Sequence, residues 1–415
     1  MIRPTALIAF VMLCMGSVNA SDDGQLLERL NPDICVDEPA HALDYSAYHV
    51  KLQNNHVDLN GDDWSILSEK FAAAARGDSA FRVVYLGDSH VQADFGGDVL
   101  RKRLAAESRY MGRGIIVPLK LAGTNQPVDY SMSMTSPYIA STLMRKPWST
   151  EMTFTGVALQ PMTDVFDLKV HLPSPACHLR LFTRGGLFSA GELSCDDGVM
   201  PFDSHVDADG LLNICSEKPV SDFVLTLHGD GQAVLGGIEA MSDSVGTVLH
   251  SIGNNGATYS AYSLVDRFGS EFSALHPDLV IIALGTNEAF GRTSVADLTV
   301  SIENLIGSIR RYSPHAKILL VGPAECYRKT YTRRKGRRRV RSQVVNTKVA
   351  TLARAIRLYA EANNIPYYNH YAVAGRAASL KNAHLLGKDG VHYTREGYKL
   401  WGNLLADALL ERLKQ

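Results

Sequence analysis

The stretch of sequence that decides the fold is Phe81-Arg82-Val83-Val84-Tyr85-Leu86-Gly87-Asp88-Ser89-His90. Residues 81–86 form an apolar run of strand length, residues 87–90 form a polar turn, and the pattern over residues 94–108 predicts a helix. A buried strand followed by a tight turn and a helix is the repeating unit of parallel α/β sheets. We therefore expect a parallel sheet with helices packed on it.

The same alternation returns in the second half of the chain. Strands are predicted over residues 279–284, 317–321 and 366–369, and helices over residues 63–76, 294–312, 344–363 and 395–414. Strands that alternate with helices of this length favour a parallel sheet covered on both faces.

The middle of the chain has a different texture. Residues 115–246 are rich in turn residues and contain short alternating runs at residues 153–157, 166–171, 178–182 and 223–227. No stretch of helical length there shows an apolar period of 3.6 residues. This pattern predicts an inserted β-sandwich over 115–246, between a first α/β part with its lead-in (21–114) and a second α/β part (247–415).

Composition excludes several classes of protein. Of 415 residues, 46% are hydrophobic and 20% are charged, which excludes a fully disordered chain, a coiled coil and a collagen-like rod. Lys and Arg number 42 against 43 Asp and Glu, so the total charge of -1 gives no reason to expect nucleic acid as a partner.

The first twenty residues have the pattern of a secretory signal. Arg3 supplies a positive charge, residues 6–15 are apolar, and small residues precede a predicted cleavage after Ala20. A lipoprotein is disfavoured because the bulky Leu13 stands before Cys14. No later apolar run is long enough to span a bilayer. We expect an exported, periplasmic protein.

Export permits disulfides. The cysteines that remain after cleavage are Cys35, Cys177, Cys195, Cys215 and Cys326. Our preferred pair is Cys195 with Cys215, and the odd number leaves at least one free thiol. The spacings match no zinc pattern with nearby histidines.

Polar signatures stand where the predicted strands end or before the last helix, at residues 87–90, 252–258, 285–288 and 389–392. A serine that begins a helix has a free N–H, a glycine N–H and an amide can stabilise an oxyanion, and an acid three residues before a histidine can fix its tautomer. Each signature alone can equally be a helix cap or an ordinary turn. In residues 252–258, both Gly253 and Gly256 are candidates.

Together, and in this order, the signatures resemble the SGNH/GDSL hydrolase superfamily, whose blocks carry Ser, Gly, Asn and Asp-x-x-His. The wider context of residues 87–94, the β-rich insert and Asn255-Gly256-Ala257 resembles the peptidoglycan O-acetylesterase (Ape1-type) branch. The resemblance implies a three-layer, flavodoxin-like α/β/α fold. It also implies that the insert is similar to a family 35 carbohydrate-binding module.

The resemblance implies a role for each matching residue. Ser89 is the expected nucleophile, His392 the general base and acid, and Asp389 the residue that orients His392. The Ser89 and Gly256 N–H groups and the Asn287 amide are the expected oxyanion donors. No metal or cofactor is implied. Glu288, after Asn287, departs from the usual Asp.

The implied function is removal of O-acetyl groups from an envelope glycan, with peptidoglycan as the leading substrate. Acyl transfer to an envelope polysaccharide remains open, because the same residues can perform it. A non-catalytic glycan-binding protein is a third alternative, disfavoured by the complete set of residues. The pattern leaves the oligomeric state open.

A basic run lies between the predicted strand at 317–321 and the helix at 344–363. Nine of the fourteen residues in 328–341 are basic and none is acidic: Arg328, Lys329, Arg333, Arg334, Lys335, Arg337, Arg338, Arg339 and Arg341. A solvated loop is the plainer interpretation. The alternative is a clamp for an anionic polymer near the site.

Overall fold

The computed structural model describes residues 43–332 and 340–415. Outside the described residues lie the predicted signal peptide, residues 21–42 of the lead-in with Cys35, and the basic residues between 333 and 339.

The strands alternate with helices at both ends of the described chain and run in succession through its middle. The strands are β1 (Val57–Asp58), β2 (Phe81–Gly87), β3 (Gly112–Ile116), β4 (Ser131–Met134), β5 (Tyr138–Thr142), β6 (Val157–Pro161), β7 (Val165–Arg184), β8 (Ser189–Cys195), β9 (Gly198–Val199), β10 (Phe202–Val206), β11 (Leu212–His228), β12 (Val234–Met241), β13 (Thr247–Gly253), β14 (Leu279–Ala283), β15 (Lys317–Val321), β16 (Tyr327–Thr332), β17 (Val340–Val345) and β18 (Tyr367–Tyr368). The helices are α1 (Ser65–Arg76), α2 (Ser89–Gln92), α3 (Phe95–Glu107), α4 (Tyr259–Ser263), α5 (Phe268–Phe272), α6 (Val295–Tyr312), α7 (Thr347–Ala362), α8 (His370–Ala374), α9 (Ala377–Asn382) and α10 (Arg395–Leu413).

The α/β sheet has the order β1-β18-β15-β14-β2-β13, and all its pairings except that of β1 with β18 are parallel. β2 lies next to the edge strand β13 and pairs with β14 on its other side. Because the strands are parallel, their carboxyl ends meet at one edge of the sheet, where ligands bind in open α/β folds. The predicted parallel sheet is therefore confirmed, and β2 carries residues 87–90 to that edge.

Alternate residues of each strand pack into two different cores. On β2, Val83 belongs to the core formed with α1, α3 and α10, whereas Val84 belongs to the core formed with α6 and α7. Burial on both faces explains why the strands are continuous apolar runs rather than alternating ones. The α/β sheet thus has helices on both faces, as the resemblance implied.

Between β2 and β13 the described chain forms an insert, β3–β12, whose strands join in one antiparallel sheet. Along residues 165–173 of β7, exposed and buried residues alternate strictly, and the buried ones enter a separate apolar core with Phe223 and Leu225 of β11. Strict alternation is typical of a sheet with one face on a core and the other in water. The sandwich form and the likeness to a carbohydrate-binding module stay predictions.

Two details of the insert differ from the sequence prediction. The runs at residues 166–171 and 178–182 belong to one long strand, β7. The prediction of a strand over residues 153–157 is wrong, since Gly156 has φ +77° and its N–H donates to the Thr153 carbonyl in a turn, and β6 begins only at Val157.

The insert meets the α/β sheet through a buried ionic contact. Glu239 of β12 is fully buried, and its two carboxylate oxygens accept hydrogen bonds at 2.8 Å from Arg82 of β2 and Arg180 of β7. Burial acts to raise the pKa of Glu239, but nearby His250 and the two guanidinium groups outweigh it, and its pKa is lowered. The carboxylate is therefore charged and fully paired.

The predicted disulfide is wrong: Cys177, Cys195, Cys215 and Cys326 are all free thiols in the described residues. Cys215 faces His178 across the β7–β11 pair, with 3.3 Å between Sγ and Nδ1, whereas Cys195 sits at the β8–β9 turn and contacts the Gly198 carbonyl. The two cysteines lie on different strands with different neighbours, which their sequence spacing could not reveal.

Candidate active site

Ser89 lies at the junction of β2 and α2. A Cβ on Gly87 would lie 2.3 Å from Val91 Cγ2, so only glycine allows the chain to turn this tightly into the helix. The Asp88 carboxylate accepts a hydrogen bond of 2.9 Å from the His90 N–H and caps the helix. Within the described part of the chain, the Ser89 N–H donates to no protein acceptor. This N–H is thus available at the start of α2.

The structure brings Ser89, His392 and Asp389 together in one hydrogen-bonded chain. The His392 Nε2 atom lies 2.8 Å from Ser89 Oγ, and its Nδ1 atom lies 2.6 Å from Asp389 Oδ2. Ser89 and His392 are separated by 303 residues of sequence. Their meeting requires β2 and the loop before α10 to end at the same edge of the sheet.

Asp389 is held as a carboxylate. Its Oδ1 atom accepts hydrogen bonds from the N–H groups of Val391 and His392, at 2.9 and 3.1 Å. Partial burial acts to raise the pKa of Asp389, but the bond to the His392 ring and these two N–H groups outweigh it and lower the pKa to about 2. At neutral pH the acid can therefore hold the Nδ1 proton of His392 and leave Nε2 to face Ser89.

Asn287 stands in a short 3₁₀ turn after β14. Its Nδ2 atom donates to Asp88 Oδ2 at 3.1 Å and to the Ala257 carbonyl at 3.0 Å. These contacts fix the amide between the residue before Ser89 and the loop that follows β13. The amide is therefore close to the serine, with both of its N–H groups bonded to protein acceptors, and its role as an oxyanion donor stays a prediction.

The two candidate glycines have different structural roles. A Cβ on Gly253 would lie 2.1 Å from the Gln92 backbone nitrogen, so Gly253 is needed where β13 packs against α2. Gly256 has φ +79°, and its N–H donates to no acceptor among the described residues. Gly256 thus has an available N–H and lies beside Asn287 through Ala257, and its role as an oxyanion donor stays a prediction.

Two carboxyl groups behind the site, Asp88 and Glu288, form no ion pair among the described residues. Burial raises the pKa of Asp88 to about 7, and the nearby Glu288 adds to the shift although the His90 N–H opposes it. Burial also raises the pKa of Glu288, which accepts a hydrogen bond of 2.8 Å from the Tyr259 N–H. Strongly shifted groups of this kind are enriched at functional sites.

A second histidine lies beside the catalytic candidate. His90 is buried, its Nδ1 atom lies 3.1 Å from the Tyr398 hydroxyl, and its ring centre is 5.4 Å from that of His392. Burial, with help from His392, lowers the pKa of His90 to about 3, so its ring is neutral. Sequence reasoning assigned no role to His90 or Tyr398.

The basic run is not the loop that we expected. Its described ends, β16 and β17, pair as an antiparallel hairpin. The hairpin stem is bonded to the loop that carries Asp389: the Tyr327 N–H donates to the Gly390 carbonyl at 2.7 Å, and Gln343 Nε2 donates to the carbonyls of Lys388 and Asp389, both at 2.9 Å. The β-branched and aromatic residues in 327–332 and 340–345 were the signal for strands that we missed.

The insert also contacts the site. Gln92 of α2 is 2% exposed, and its Nε2 atom donates to Thr124 Oγ1 at 3.0 Å and to the Asn125 carbonyl at 2.5 Å. On its other side, Gln92 Oε1 accepts the Asn255 N–H at 2.5 Å. A residue of the serine helix thus joins the insert to the loop that holds Gly256. Nothing in the sequence pattern marked Gln92.

No group of three or more potential metal ligands occurs in the part of the chain that the structure describes. In the same residues no helix combines the length and apolar character needed to cross a membrane.

Residues 237–400 match the model of the GDSL-like lipase/acylhydrolase family. The matched part contains the three later sequence blocks, and the structure adds Ser89 from outside it. The match over these residues and the fold bear out the predicted SGNH/GDSL superfamily and the predicted enzyme class, a carboxylic ester hydrolase. A sequence comparison with curated proteins found no match.

Solved structures give a finer comparison of the fold. A structure described as a peptidoglycan O-acetylesterase in action superposes with a TM-score of 0.68 at 21% identity, over 86% of this chain and 99% of that one. The fold of that esterase therefore matches both the α/β sheet and the insert of this chain, as the resemblance to this branch implied. A lipase/acylhydrolase from Enterococcus faecalis matches 40% of this chain and 77% of its own, at 22% identity and a TM-score of 0.30. A carbohydrate esterase family 3 protein from Talaromyces cellulolyticus matches 41% and 72%, at 16% identity and a TM-score of 0.29.

Proposed function

We propose that this protein is an exported serine esterase that removes O-acetyl groups from a cell-envelope glycan, with peptidoglycan as the first substrate to test. The observation that carries the proposal is the chain of hydrogen bonds from Asp389 through His392 to Ser89, at 2.6 and 2.8 Å. The similarity in fold to a peptidoglycan O-acetylesterase supports the choice of substrate, and the signal pattern of residues 1–20 supports export.

In the first half of the reaction, the Ser89 hydroxyl attacks the ester carbonyl carbon. The Oγ proton passes to His392 Nε2 as the Oγ–C bond forms, and the carbonyl oxygen becomes an oxyanion. The N–H groups of Ser89 and Gly256 and the Asn287 amide stabilise this oxygen. When the intermediate collapses, the bond to the sugar oxygen breaks and His392 gives its proton to the departing hydroxyl.

The second half releases acetate. A water molecule gives a proton to His392 Nε2 and attacks the acetyl carbon, and the Oγ–C bond then breaks and Ser89 recovers its proton. The side chain of His392 is 37% exposed, so water can reach the acetyl-enzyme. Transfer to a second sugar would require an acceptor that keeps this water out of the site.

The test is release of acetate from O-acetylated peptidoglycan by the wild type and by Ser89→Ala. We expect the variant to lose activity by about a thousandfold or more, because the nucleophile is gone while the fold remains. Ser131→Ala, an exposed serine on β4, is the matched control and should match the wild type. Acetate release by Ser89→Ala at the wild-type rate would overturn the proposed mechanism.

A second arm separates hydrolysis from transfer. The enzyme is given an acetyl donor together with deacetylated glycan, and the products are followed by mass spectrometry. Hydrolysis predicts free acetate and no acetylated sugar. Acetyl groups appearing on the glycan, with little free acetate, would replace the esterase by the transferase.

A further inference from the structure

The insert places a turn, residues 144–148, at the rim of the candidate site. The side chain of Met144 reaches Gly256: a Cβ built on that glycine would lie 3.7 Å from Met144 Cγ. Met144 is 43% exposed. An apolar side chain therefore stands in water beside a predicted oxyanion donor, although it comes from the insert and not from the α/β sheet.

Hydrogen bonds fix the 144–148 turn to the insert loop that also binds Gln92. Arg145 Nη2 donates to the Gly123 carbonyl at 3.3 Å, and residues 124 and 125, which follow, are the acceptors for Gln92. At the other end, Trp148 Nε1 donates to the Leu143 carbonyl at 3.2 Å. The turn is thus held in place relative to α2, which begins with Ser89.

The turn presents positive charge. Residues 144–147 are exposed in succession, and the Lys146 ammonium lies 4.6 Å from the centre of the Trp148 ring. Neither Arg145 nor Lys146 has a carboxylate within ion-pair distance among the described residues. The acid nearest in sequence, Glu151, is bonded to Arg184 at 2.7 Å. In a protein with a net charge of -1, this rim is locally cationic.

We propose that the 144–148 turn binds the acetylated polymer next to the sugar that is deacetylated, with a carboxylate of the polymer on Arg145 and Lys146 and with Met144 against the sugar. The inference rests on the proposed function and names the substrate class more narrowly: an acetylated glycan that carries carboxylates. The carboxylates can belong to peptide stems or to uronic acid sugars. Both present the same planar anion, which guanidinium groups bind well.

The experiment compares the wild type with the double variant Arg145→Gln, Lys146→Gln on four substrates. These are O-acetylated peptidoglycan, acetylated alginate, uncharged cellulose acetate and p-nitrophenyl acetate. The matched control is Lys169→Gln, Lys218→Gln, which removes the same charge from exposed positions on β7 and β11, around the separate core of the insert.

We expect the KM of the rim variant to rise about five- to tenfold on an anionic polymer, since two exposed ionic contacts are lost. Its KM should rise less on cellulose acetate and p-nitrophenyl acetate than on the anionic polymers, because these substrates make no ionic contact with the turn and the variant loses for them only the Arg145 bond to Gly123. The difference should shrink in high salt. A rise in KM on peptidoglycan alone assigns the bound carboxylate to peptide stems, and a rise in KM on alginate alone assigns it to uronic acids.

Three results would overturn the proposal: an unchanged KM on both anionic polymers, an equal rise on cellulose acetate, or an equal rise in the control variant. Failure of the proposed function is distinguishable from these, because it shows in the wild type. A wild type that hydrolyses p-nitrophenyl acetate but releases no acetate from any glycan would end both proposals. Arg145→Glu, Lys146→Glu should weaken binding further, and the thermal unfolding of each variant checks its fold.

Discussion

Two buried carboxyl groups, Glu239 in the insert and Asp88 at the edge of the α/β sheet, have opposite surroundings. In the insert, Glu239 is surrounded by Arg82 and Arg180, and its pKa is lowered. At the edge of the α/β sheet, Asp88 is equally buried but has only N–H donors, and its pKa is raised to about 7. The insert is thus joined to the sheet through a carboxylate that two guanidinium groups bind. The site instead keeps a buried acid without an ion-pair partner next to the candidate nucleophile.

The two regions also differ in what they give to the site. The α/β sheet supplies the residues of the hydrogen-bonded chain from the ends of its strands and loops. The insert supplies contacts from behind and beside them, through Thr124, Asn125 and Met144. Substitutions in the α/β sheet and in the insert should therefore differ in how far they change kcat and the free energy of unfolding.

The largest effect in this comparison is expected for Asn287→Ala. The variant loses one donor to the oxyanion, which should lower kcat by about a hundred- to a thousandfold with little change in KM. Steady-state kinetics on p-nitrophenyl acetate measure it. Asn403→Ala is the control, since Asn403 is a buried asparagine of α10 whose side chain accepts a hydrogen bond from Arg103 of α3. Equal losses in both variants would show that Asn287 acts only through stability.

A smaller effect is expected for Gln92→Leu, which cuts the connection between the insert and the Gly256 loop. Because the loop is displaced while the triad candidates stay in place, kcat should fall about tenfold or more. Gln160→Leu is the matched control: it removes a hydrogen bond of 2.7 Å to the Gly231 carbonyl inside the insert. If Gln92→Leu turns over substrate like the control, the insert does not position the oxyanion donor.

The variant Asp88→Asn should change turnover least, and its clearest effect should be on how stability depends on pH. The folded-state pKa of Asp88 lies above its ordinary value of 3.8, so its contribution to stability is full below about pH 4 and is lost as pH rises to about 7. Relative to Asp88→Asn, the wild type should lose stability over that window. Denaturant unfolding at several pH values measures the difference.

Glu239→Gln should show the opposite slope. The pKa of Glu239 is lowered in the folded state, so its contribution is present above the ordinary value of 4.5 and is lost as pH falls below it. Slopes of the same sign in the two variants would contradict the contrast between a compensated and an uncompensated acid.

Much of the α/β part could be predicted from the sequence. The strand at 317–321 and the helices at 65–76 and 295–312 were found within about two residues, because apolar runs and periods are local properties of a chain. The insert was harder: β7 is one strand of 20 residues and not two short ones, since long bent strands carry no local signal of their continuity. The β16–β17 hairpin was missed because charge dominated its sequence.

The sequence by itself determined which residue types are present in which order: a serine after the first strand, glycine and asparagine after the next two, and an acid three residues before a histidine. It could do so because these are short motifs at strand ends. Only the tertiary structure decided that Ser89 and His392 meet at 2.8 Å and that Gln92, Gln343 and Met144 border the site. It also decided that Gly253 packs against α2, whereas the Gly256 N–H has no acceptor among the described residues. Such contacts join residues far apart in the chain, and the parallel order of the strands, with the packing of the insert against them, brings them together.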